Sequence, residues 1–485
     1  MAILTQAIAD ALVVQQGLDV VVPATYTSIG EYAFYNNVLT SVVIPANVTT
    51  IGAFAFYNNF LSSITIPERV TTIGESAFSD NFLSSVEIPD NVATIGESAF
   101  FNNLLASVEI PDRVATISKS VFWGNQLTSI EIGNSVATIA KEAFEHNQLI
   151  SVVIPDSVVT IGEEAFSENE ITNVVIGNRV TTIGKEAFEQ NALTSVVIPD
   201  SVVTIGEEAF RQNQLTSIQI GDSVTLIDQE SFEYNSLTNV VIPDSVVMIG
   251  EEAFRQNQLA NVLIGSGVTT IEKEAFQDNA LTSIMIPRSV TSIGENAFEN
   301  NPLETIRIHI KSKLDLSEYE NNGIEIIRYG GFIDPNEITG SSIDDFLKGT
   351  SSHDLIKGGS GNDYLKAKDN NDILVGGSGN DSLYGGKHID ELFGGSGDDI
   401  LGGGKGDDIL TGGSDADTFQ ISQGNDVIRD FSIAQQDRIG SNGYNLELTQ
   451  DGINLLITDV DNNVLTTVLN VNHDDLMAWQ PILLG

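Results

Sequence analysis

Hydrophobic and polar residues repeat every 22 positions through the first 300 residues of the chain. Thirteen phenylalanines mark this period without an insertion: Phe34, Phe56, Phe78, Phe100, Phe122, Phe144, Phe166, Phe188, Phe210, Phe232, Phe254, Phe276 and Phe298. An asparagine follows each of them by three residues, from Asn37 to Asn301, and a Leu or Ile follows two residues later. A period of this length predicts a solenoid of stacked coils.

The apolar positions within one period predict two short extended segments and a turn. Leu149, Val152 and Ile154 fall on one face of a first strand, Val158 and Ile161 lie in a second, and the Glu-Glu-Ala-Phe segment predicts a helical turn. Each coil thus has one apolar side that only its neighbours can bury. We expect the phenylalanines to form an aromatic spine and the asparagines a ladder that satisfies backbone groups of neighbouring coils.

Charged positions also follow the 22-residue period, and residues one period apart are neighbours in adjacent coils. Lys141, Glu163, Lys185 and Glu207 alternate in sign, and the position after each phenylalanine alternates in the same way around Arg211. Opposite charges are therefore expected to stack along the solenoid, although each exposed pair contributes only a few tenths of a kcal/mol.

The outward position in the middle of the first strand is largely apolar in the second half of the array. Its apolar members are Val153, Val175, Val197, Val241, Leu263 and Met285. Contiguous exposed apolar surface usually marks contact with a partner or another copy of the chain. The alternative is that β-branched residues favour a strand whatever they face. The sequence leaves both interpretations open.

The repeating unit L-x-x-V-x-I-P-x-x-V-x-x-I-G-x-x-A-F-x-x-N resembles the leucine-rich repeat of BspA-like surface proteins over about residues 25–308. The resemblance implies a leucine-rich-repeat solenoid over residues 1–308, with residues 1–24 as its N-terminal cap. It says little about function, because exposed positions choose the partner of such an array. Residues 309–339 lose the period and are interpreted as a capping segment and connector.

From residue 340 to residue 420 the period shortens to nine. The sixth position of each nine-residue unit is an aspartate and the eighth is apolar, as in Asp381 and Leu383. Glycines at the first, second and fourth positions permit left-handed backbone and leave carbonyl oxygens accessible. Calcium takes six to eight oxygen ligands in flexible geometry. The run therefore predicts calcium binding; the alternative is an acidic turn without metal.

This run resembles the calcium-binding parallel β-roll of RTX proteins. The resemblance implies that two nine-residue units form one coil, so that alternate units lie on the same side and ions lie between turns 18 residues apart. The first side carries Asp345, Asp363, Asp381, Asp399 and Asp417. The second side carries Asp354, Asp372, Asp390 and Asp408 among lysines, histidines and lost glycines.

We therefore predict several Ca²⁺ ions, bound mainly on the first side. The expected ligands are Asp363, Asp381, Asp399, Asp417 and Asp345, with Gly358, Ser360, Asn362, Gly376, Ser378, Asn380, Gly394, Ser396 and Asp398 around them and weaker sites at Asp390 and Asp408.

Residues 421–485 carry Asp426, Ile428, Asp437 and Ile439 in a pattern similar to the segment that caps β-rolls. The rest alternates as strands and ends in an apolar segment that resembles the uncleaved signal of type I secretion substrates. The first 22 residues lack the basic start of a signal peptide, and no apolar run is long enough to span a membrane. We expect an extracellular or cell-surface bacterial protein.

The chain has 67 acidic and 22 basic residues, a formal net charge of −45. This charge repels nucleic acid and anionic membranes and favours cations. Cysteine is absent, which excludes disulfides and thiol chemistry. No H-E-x-x-H, G-x-S-x-G or P-loop motif occurs, and we expect no enzyme.

The sequence thus predicts a mainly β protein with two solenoids in tandem and a small β cap. The predicted function is a calcium-dependent structural or adhesion protein whose leucine-rich rod contacts a protein, a cell surface or its own copies. The alternative is a secreted ligand-binding module or effector, and an enzyme is a distant third.

Overall fold

A computed structural model describes residues 2–329, 336–433, 435–443, 446–451, 454–459, 464–469 and 482–483. The described chain is mainly β and forms two parallel solenoids one after the other, which confirms the predicted fold class. Their coils are 22 and 18 residues long, as the strand registers show: Thr160 pairs with Thr182, and Leu374 pairs with Leu392.

Two columns of parallel strands run along the first solenoid. The inner column consists of Ile3–Leu4, Ser28–Ile29, Thr50–Ile51, Thr72–Ile73, Thr94–Ile95, Thr116–Ile117, Thr138–Ile139, Thr160–Ile161, Thr182–Ile183, Thr204–Ile205, Leu226–Ile227, Met248–Ile249, Thr270–Ile271 and Ser292–Ile293. The outer column consists of Asp19–Val21, Ser41–Val43, Ser107–Ile110, Ser129–Ile132, Ser151–Val153, Asn173–Val175, Ser195–Ile198, Ser217–Ile220, Asn239–Ile242, Asn261–Ile264, Ser283–Ile286, Thr305–His309 and Glu325–Tyr329.

The Glu-Glu-Ala-Phe segment forms successive turns rather than the helical turn expected from the sequence. Glu164 and Glu168 adopt left-handed backbone, with φ of 55° and 52°. As a result, the Glu164 N–H donates to the Lys185 carbonyl at 2.8 Å, and the Phe166 N–H donates to the Ala187 carbonyl at 2.9 Å. A helix would direct these groups along its own axis, whereas the turn directs them to the next coil. No helix occurs in residues 23–304, all of which are described.

The predicted aromatic spine and asparagine ladder are both present. Neighbouring phenylalanine rings from Phe34 to Phe298 stack with centroids 5.2–5.7 Å apart. Asn191 shows the ladder geometry: its Oδ1 accepts from the Ile171 N–H at 3.0 Å, and its Nδ2 donates to the Phe166 carbonyl at 2.9 Å and the Phe188 carbonyl at 3.2 Å. Each buried amide therefore joins two neighbouring coils through three hydrogen bonds.

The expected stacking of opposite charges is also present. Lys141 Nζ lies 2.9 Å from Glu163 Oε1, and Lys185 Nζ lies 2.7 Å from Glu207 Oε1. Arg211 lies 2.9 Å from the carboxylate of the preceding coil and 2.9 Å from that of the following coil. The lysine pairs are partly exposed and help to align coils more than they stabilise them, whereas Glu189 and Glu233 beside Arg211 are buried.

Helices occur at both ends of this solenoid in the described chain. Gln6–Gln16 lies between the first strands of the two columns, and Ala9 is the buried residue of this helix. Ser317–Asn321 lies between the last two strands of the outer column. Both helices take the place that turns occupy in the other coils.

The second solenoid consists of two facing sheets. The first contains Asn336–Thr339, Asp354–Ser360, Ile373–Ser378, Glu391–Ser396, Ile409–Ser414 and Asp426–Ile428, extended by Val464–Val468, Asn454–Thr458 and Glu447–Asp451, whose last two pairings are antiparallel. The second contains Phe346–Lys348, Tyr364–Lys366, Ser382–Lys387, Ile400–Lys405, Thr418–Gln420, Arg438–Gly440 and Ile482–Leu483. Inward residues such as Leu374, Leu383 and Leu392 form a separate core.

We predict that Asn191→Ala lowers the free energy of unfolding of the first solenoid by about 2–3 kcal/mol, because it leaves buried backbone groups without a partner. Chemical denaturation of the full chain measures this. Asn178→Ala is the matched control, since Asn178 is exposed in the same repeat. Equal effects of the two substitutions would contradict the role assigned to the ladder.

Candidate metal centre

The aspartates of the nine-residue units form two ladders, one on each side of the second solenoid. Each unit places its aspartate two residues before a buried apolar residue, so burial of Leu383 or Leu392 sets the position of Asp381 or Asp390. The Asp363 N–H donates to Asp381 Oδ1 at 2.7 Å, and the Asp372 N–H donates to Asp390 Oδ1 at 2.8 Å. The same bond joins coils along each ladder.

The second carboxylate oxygen of the inner aspartates has no hydrogen-bond donor. These buried Oδ2 atoms belong to Asp363, Asp372, Asp381, Asp390, Asp399, Asp408 and Asp417. A buried charged oxygen without a partner is strongly unfavourable. Seven such atoms in register therefore require either protons or a shared kind of cation.

Backbone oxygens share the space beside these carboxylates. An ideal Cβ added to Gly376 would lie 2.3 Å from Asp381 Oδ2 and 2.5 Å from the Gly394 carbonyl oxygen. On the second side, a Cβ on Gly385 would lie 2.4 Å from Asp390 Oδ2 and 2.6 Å from the carbonyl oxygen one turn on. Only glycine fits here, and an oxygen-rich cradle of this kind suits Ca²⁺.

At the ends of the ladders, protein groups donate hydrogen bonds to the second carboxylate oxygen of the aspartate. Asp345 Oδ2 accepts from the Ser341 N–H at 2.6 Å, and Asp354 Oδ2 accepts from the Thr350 N–H at 2.6 Å. At the other end, Asp426 Oδ2 accepts from the Ser422 hydroxyl at 2.7 Å. The predicted ligand Asp345 therefore differs from the inner aspartates, because its second oxygen already has partners.

Burial raises the pKa values of the inner aspartates. The loss of solvent raises the pKa of Asp381 to about 7, that of Asp390 to about 8 and that of Asp399 to about 9. The pKa of Asp417 reaches about 10 through burial, with a further contribution from the charge of Asp399. Without a cation, these carboxyls therefore hold protons near neutral pH.

The other residues predicted for the first side line the same turns. The first glycines, Gly358, Gly376 and Gly394, approach the carboxylates as described for Gly376. The fifth positions form their own exposed ladder, in which the Asn380 N–H donates to Asn362 Oδ1 at 2.7 Å and the Asp398 N–H donates to Asn380 Oδ1 at 3.0 Å. The third positions, Ser360, Ser378 and Ser396, line a cleft against the first solenoid.

The two sides differ less than the sequence suggested. Asp372, Asp390 and Asp408 have the same unpartnered oxygen as their first-side counterparts. Where the second side loses a fourth glycine, Asn370 and His388 take up left-handed backbone, with φ of 81° and 77°. Lysine, histidine and lost glycines are the reason to predict weaker sites on the second side. The carboxylate oxygens there are nevertheless unpartnered, as on the first side.

The sequence prediction gave little weight to Asp372 and assigned no ladder role to Asp426 or Asp437. Asp426 Oδ1 accepts from the Asp408 N–H at 3.1 Å, and Asp437 Oδ1 accepts from the Asp417 N–H at 3.0 Å. The spacing of each to an apolar residue two positions later, Ile428 or Ile439, is the signal that could have found them.

The apolar stripe of the first solenoid divides into two halves. Val153, Val175 and Val197 are 66%, 50% and 58% exposed, as an interaction surface requires. Val241, Leu263 and Met285 are half-buried, and their side chains line clefts against the second solenoid. For these three the expectation of open surface is corrected, because the chain's own second solenoid lies over them.

Two family models match the two solenoids. Residues 18–126, 115–238 and 203–325 match the BspA type leucine rich repeat region, and residues 339–373, 367–401 and 393–428 match the RTX calcium-binding nonapeptide repeat. The two models meet near residue 330, and both describe structural repeats rather than enzymes.

Solved structures similar to this chain include leucine-rich repeat proteins and, over 41% of this chain at 17% identity and a TM-score of 0.16, an extracellular lipase from Serratia marcescens. One, a leucine-rich repeat protein from Bacteroides ovatus, is 21% identical, with 66% of this chain and 85% of that chain covered and a TM-score of 0.47. A leucine rich cell surface protein from Faecalibacterium prausnitzii is 28% identical, with coverages of 64% and 87% and a TM-score of 0.37. The search of curated proteins found no match. None of the described helices has the length and apolar character needed to cross a membrane.

We predict that the metal-free second solenoid loses stability as pH rises from about 4 to 9. The folded-state pKa values of Asp381, Asp390 and Asp399 lie above the value of about 3.9 of an unfolded aspartate. In that window the folded state holds more protons than the unfolded state, so raising the pH favours unfolding. Circular dichroism of calcium-free protein at pH 5.5 and pH 8.5 measures this. Greater order at pH 8.5 would contradict the expectation.

Proposed function

This chain belongs to the BspA type leucine-rich repeat family, and we propose that it is a secreted or cell-surface protein in which calcium orders the second solenoid while the leucine-rich array provides the contact surface. The observation that carries the proposal is the set of seven buried carboxylate oxygens without donors. A bound cation would supply the missing partner of each.

We propose Ca²⁺ sites on both sides of the second solenoid. The carboxylates of Asp363, Asp381, Asp399 and Asp417 serve the first side, and those of Asp372, Asp390 and Asp408 serve the second. The glycine cradles at Gly376 and Gly385 support sites on both sides, although Ala367 stands at the corresponding position in the unit of Asp372. Ion binding displaces the protons that burial otherwise retains and adds folding free energy by mass action. External calcium would thus complete folding after export.

The exposed valines support the second part of the proposal. Val153, Val175 and Val197 form one row across adjacent parallel strands, and no charged side chain interrupts this row. A chain with a net charge of −45 repels its own copies over most of its surface, so an uncharged apolar row is a plausible place for contact. We propose self-association or a protein partner here, and recognition of a specific ligand by a secreted module as the alternative.

We predict that Asp381→Asn and Asp390→Asn each lower calcium affinity at least about tenfold and reduce the number of bound ions. Asparagine keeps the Oδ1 acceptor and the shape of the side chain but removes the charge. Isothermal titration of the full chain measures both quantities, with Asp90→Asn on an exposed position of the first solenoid as the control. If Asp390→Asn binds calcium like the unsubstituted chain, the second side holds no ion.

We predict that Val175→Asp weakens self-association, because it places a charge in the centre of the exposed row. Light scattering with increasing protein concentration measures this in the presence of calcium. Thr65→Asp is the matched control, since Thr65 is exposed at the same position of the 22-residue repeat on a distant coil. A chain that stays monomeric under all of these conditions would contradict self-association and favour a separate partner.

A further inference from the structure

The first sheet of the second solenoid packs against the outer strand column of the first. In the strand Ile373–Ser378, Leu374 faces its own core, so Val375 faces away from it; yet Val375 is only 6% exposed. Thr411 stands in the same position two coils further on and is 4% exposed. Both are covered because the strands that carry Val241 and Leu263 lie opposite them.

Polar contacts fix this packing across large separations in the chain. Lys357 Nζ lies 2.8 Å from both carboxylate oxygens of Asp244, and the lysine side chain is largely buried. Arg307 pairs with Glu391 in the same interface. Arg429 donates to Asn261 Oδ1 at 3.2 Å, which leaves Asn261 almost inaccessible. The interface therefore combines an apolar centre with paired charges.

The turns proposed to bind calcium make some of these contacts themselves. The Ser360 hydroxyl, in the turn of Asp363, donates to Asp222 Oδ2 at 3.1 Å. At the far end, Asp430 accepts from the backbone N–H groups of Gly412 and Gly413 at 2.9 Å and 2.8 Å, and also from Asn239 Nδ2 at 3.2 Å. The backbone of the last first-side turn is thus joined to the first solenoid through one carboxylate.

The two sides of the second solenoid differ in what they face. The Gly-Gly-Ser turns of the first side line the cleft, where larger side chains would meet the first solenoid. On the second side the equivalent turns carry Lys387 and His388, both exposed. The strict first-side sequence therefore satisfies a packing requirement in addition to any requirement of the metal.

We infer that the β-roll is a calcium-dependent cover for the leucine-rich array, docked in its folded form on the surface around Asn261 and Leu263. The inference rests on the proposed function, because calcium acts on the cover by ordering the roll. At low calcium the roll leaves this surface and exposes Val241, Leu263 and Met285 beside the open valine row. Calcium thereby sets how much of the stripe is accessible.

Single cysteines test this directly, because the chain contains none of its own. Asn261→Cys and its matched control Asn173→Cys occupy the same coil position; Asn261 is buried by the roll and Asn173 is exposed. In the full chain, calcium is expected to slow reaction of the introduced thiol with a maleimide at least about tenfold for Asn261→Cys and less than about twofold for Asn173→Cys. Leu263→Cys and Thr65→Cys, which occupy the same repeat position, repeat the comparison at a site without the Arg429 hydrogen bond.

Charge reversal provides an independent check on the docked geometry. Adding Lys357→Asp to Leu263→Cys is expected to abolish most of the calcium-dependent slowing, because two carboxylates then face each other. Adding Asp244→Lys as well is expected to restore it. Failure of the double reversal to restore slowing, with the roll still folded, would overturn the assigned contact.

Circular dichroism on the same samples separates the two hypotheses. In one outcome, calcium folds the roll without changing the thiol rates at positions 261 and 263, for example because these rates are slow at all calcium concentrations. In that case the inference of a calcium-dependent cover is wrong and the proposed function stands. If calcium neither folds the roll nor changes the thiol rates, the proposed function fails with it.

Discussion

Both solenoids depend on one buried side chain per coil that accepts a hydrogen bond from the backbone of the coil beside it. In the first solenoid this side chain is an amide: Asn191 accepts through Oδ1 and donates through Nδ2, so its polar atoms are satisfied within the protein. In the second it is a carboxylate: Asp381 accepts through Oδ1, but its Oδ2 has neither a hydrogen to donate nor a donor to meet. One array is therefore complete by itself, whereas the other requires protons or a cation.

The placement of the unpartnered oxygens shows that this requirement is confined to the interior of the roll. Serine and threonine groups meet the end aspartates, as Ser341 does for Asp345 and Ser422 does for Asp426. Between these ends, burial raises the carboxyl pKa values, most of all that of Asp417. In neutral solution without a cation, the folded roll therefore has to keep protons on these carboxyls that the unfolded chain would release. Calcium binding at the proposed sites would remove this requirement and so couple folding of the roll to calcium concentration.

The packing of one solenoid on the other changes the meaning of two sequence patterns. The apolar row at Val241 and Leu263 is an internal contact, while its continuation at Val175 is open surface. The turns on the two sides of the roll differ in sequence partly because they face different surroundings. The small residues of the first side face the first solenoid, whereas Lys387 and His388 face solvent. Neither pattern can be interpreted correctly from its own repeat alone.

The sequence by itself determined both repeat architectures, the Phe spine, the Asn ladder and the aspartate rows, because in a solenoid the residue one period away is the spatial neighbour. It was wrong on the Glu-Glu-Ala-Phe turn, where bonding to the next coil outweighs helix propensity. Only the tertiary structure decided which oxygens lack a donor and which half of the stripe is covered. Lys357 and Asp244 lie 113 positions apart and follow neither period, so no repeat in the sequence can place them together.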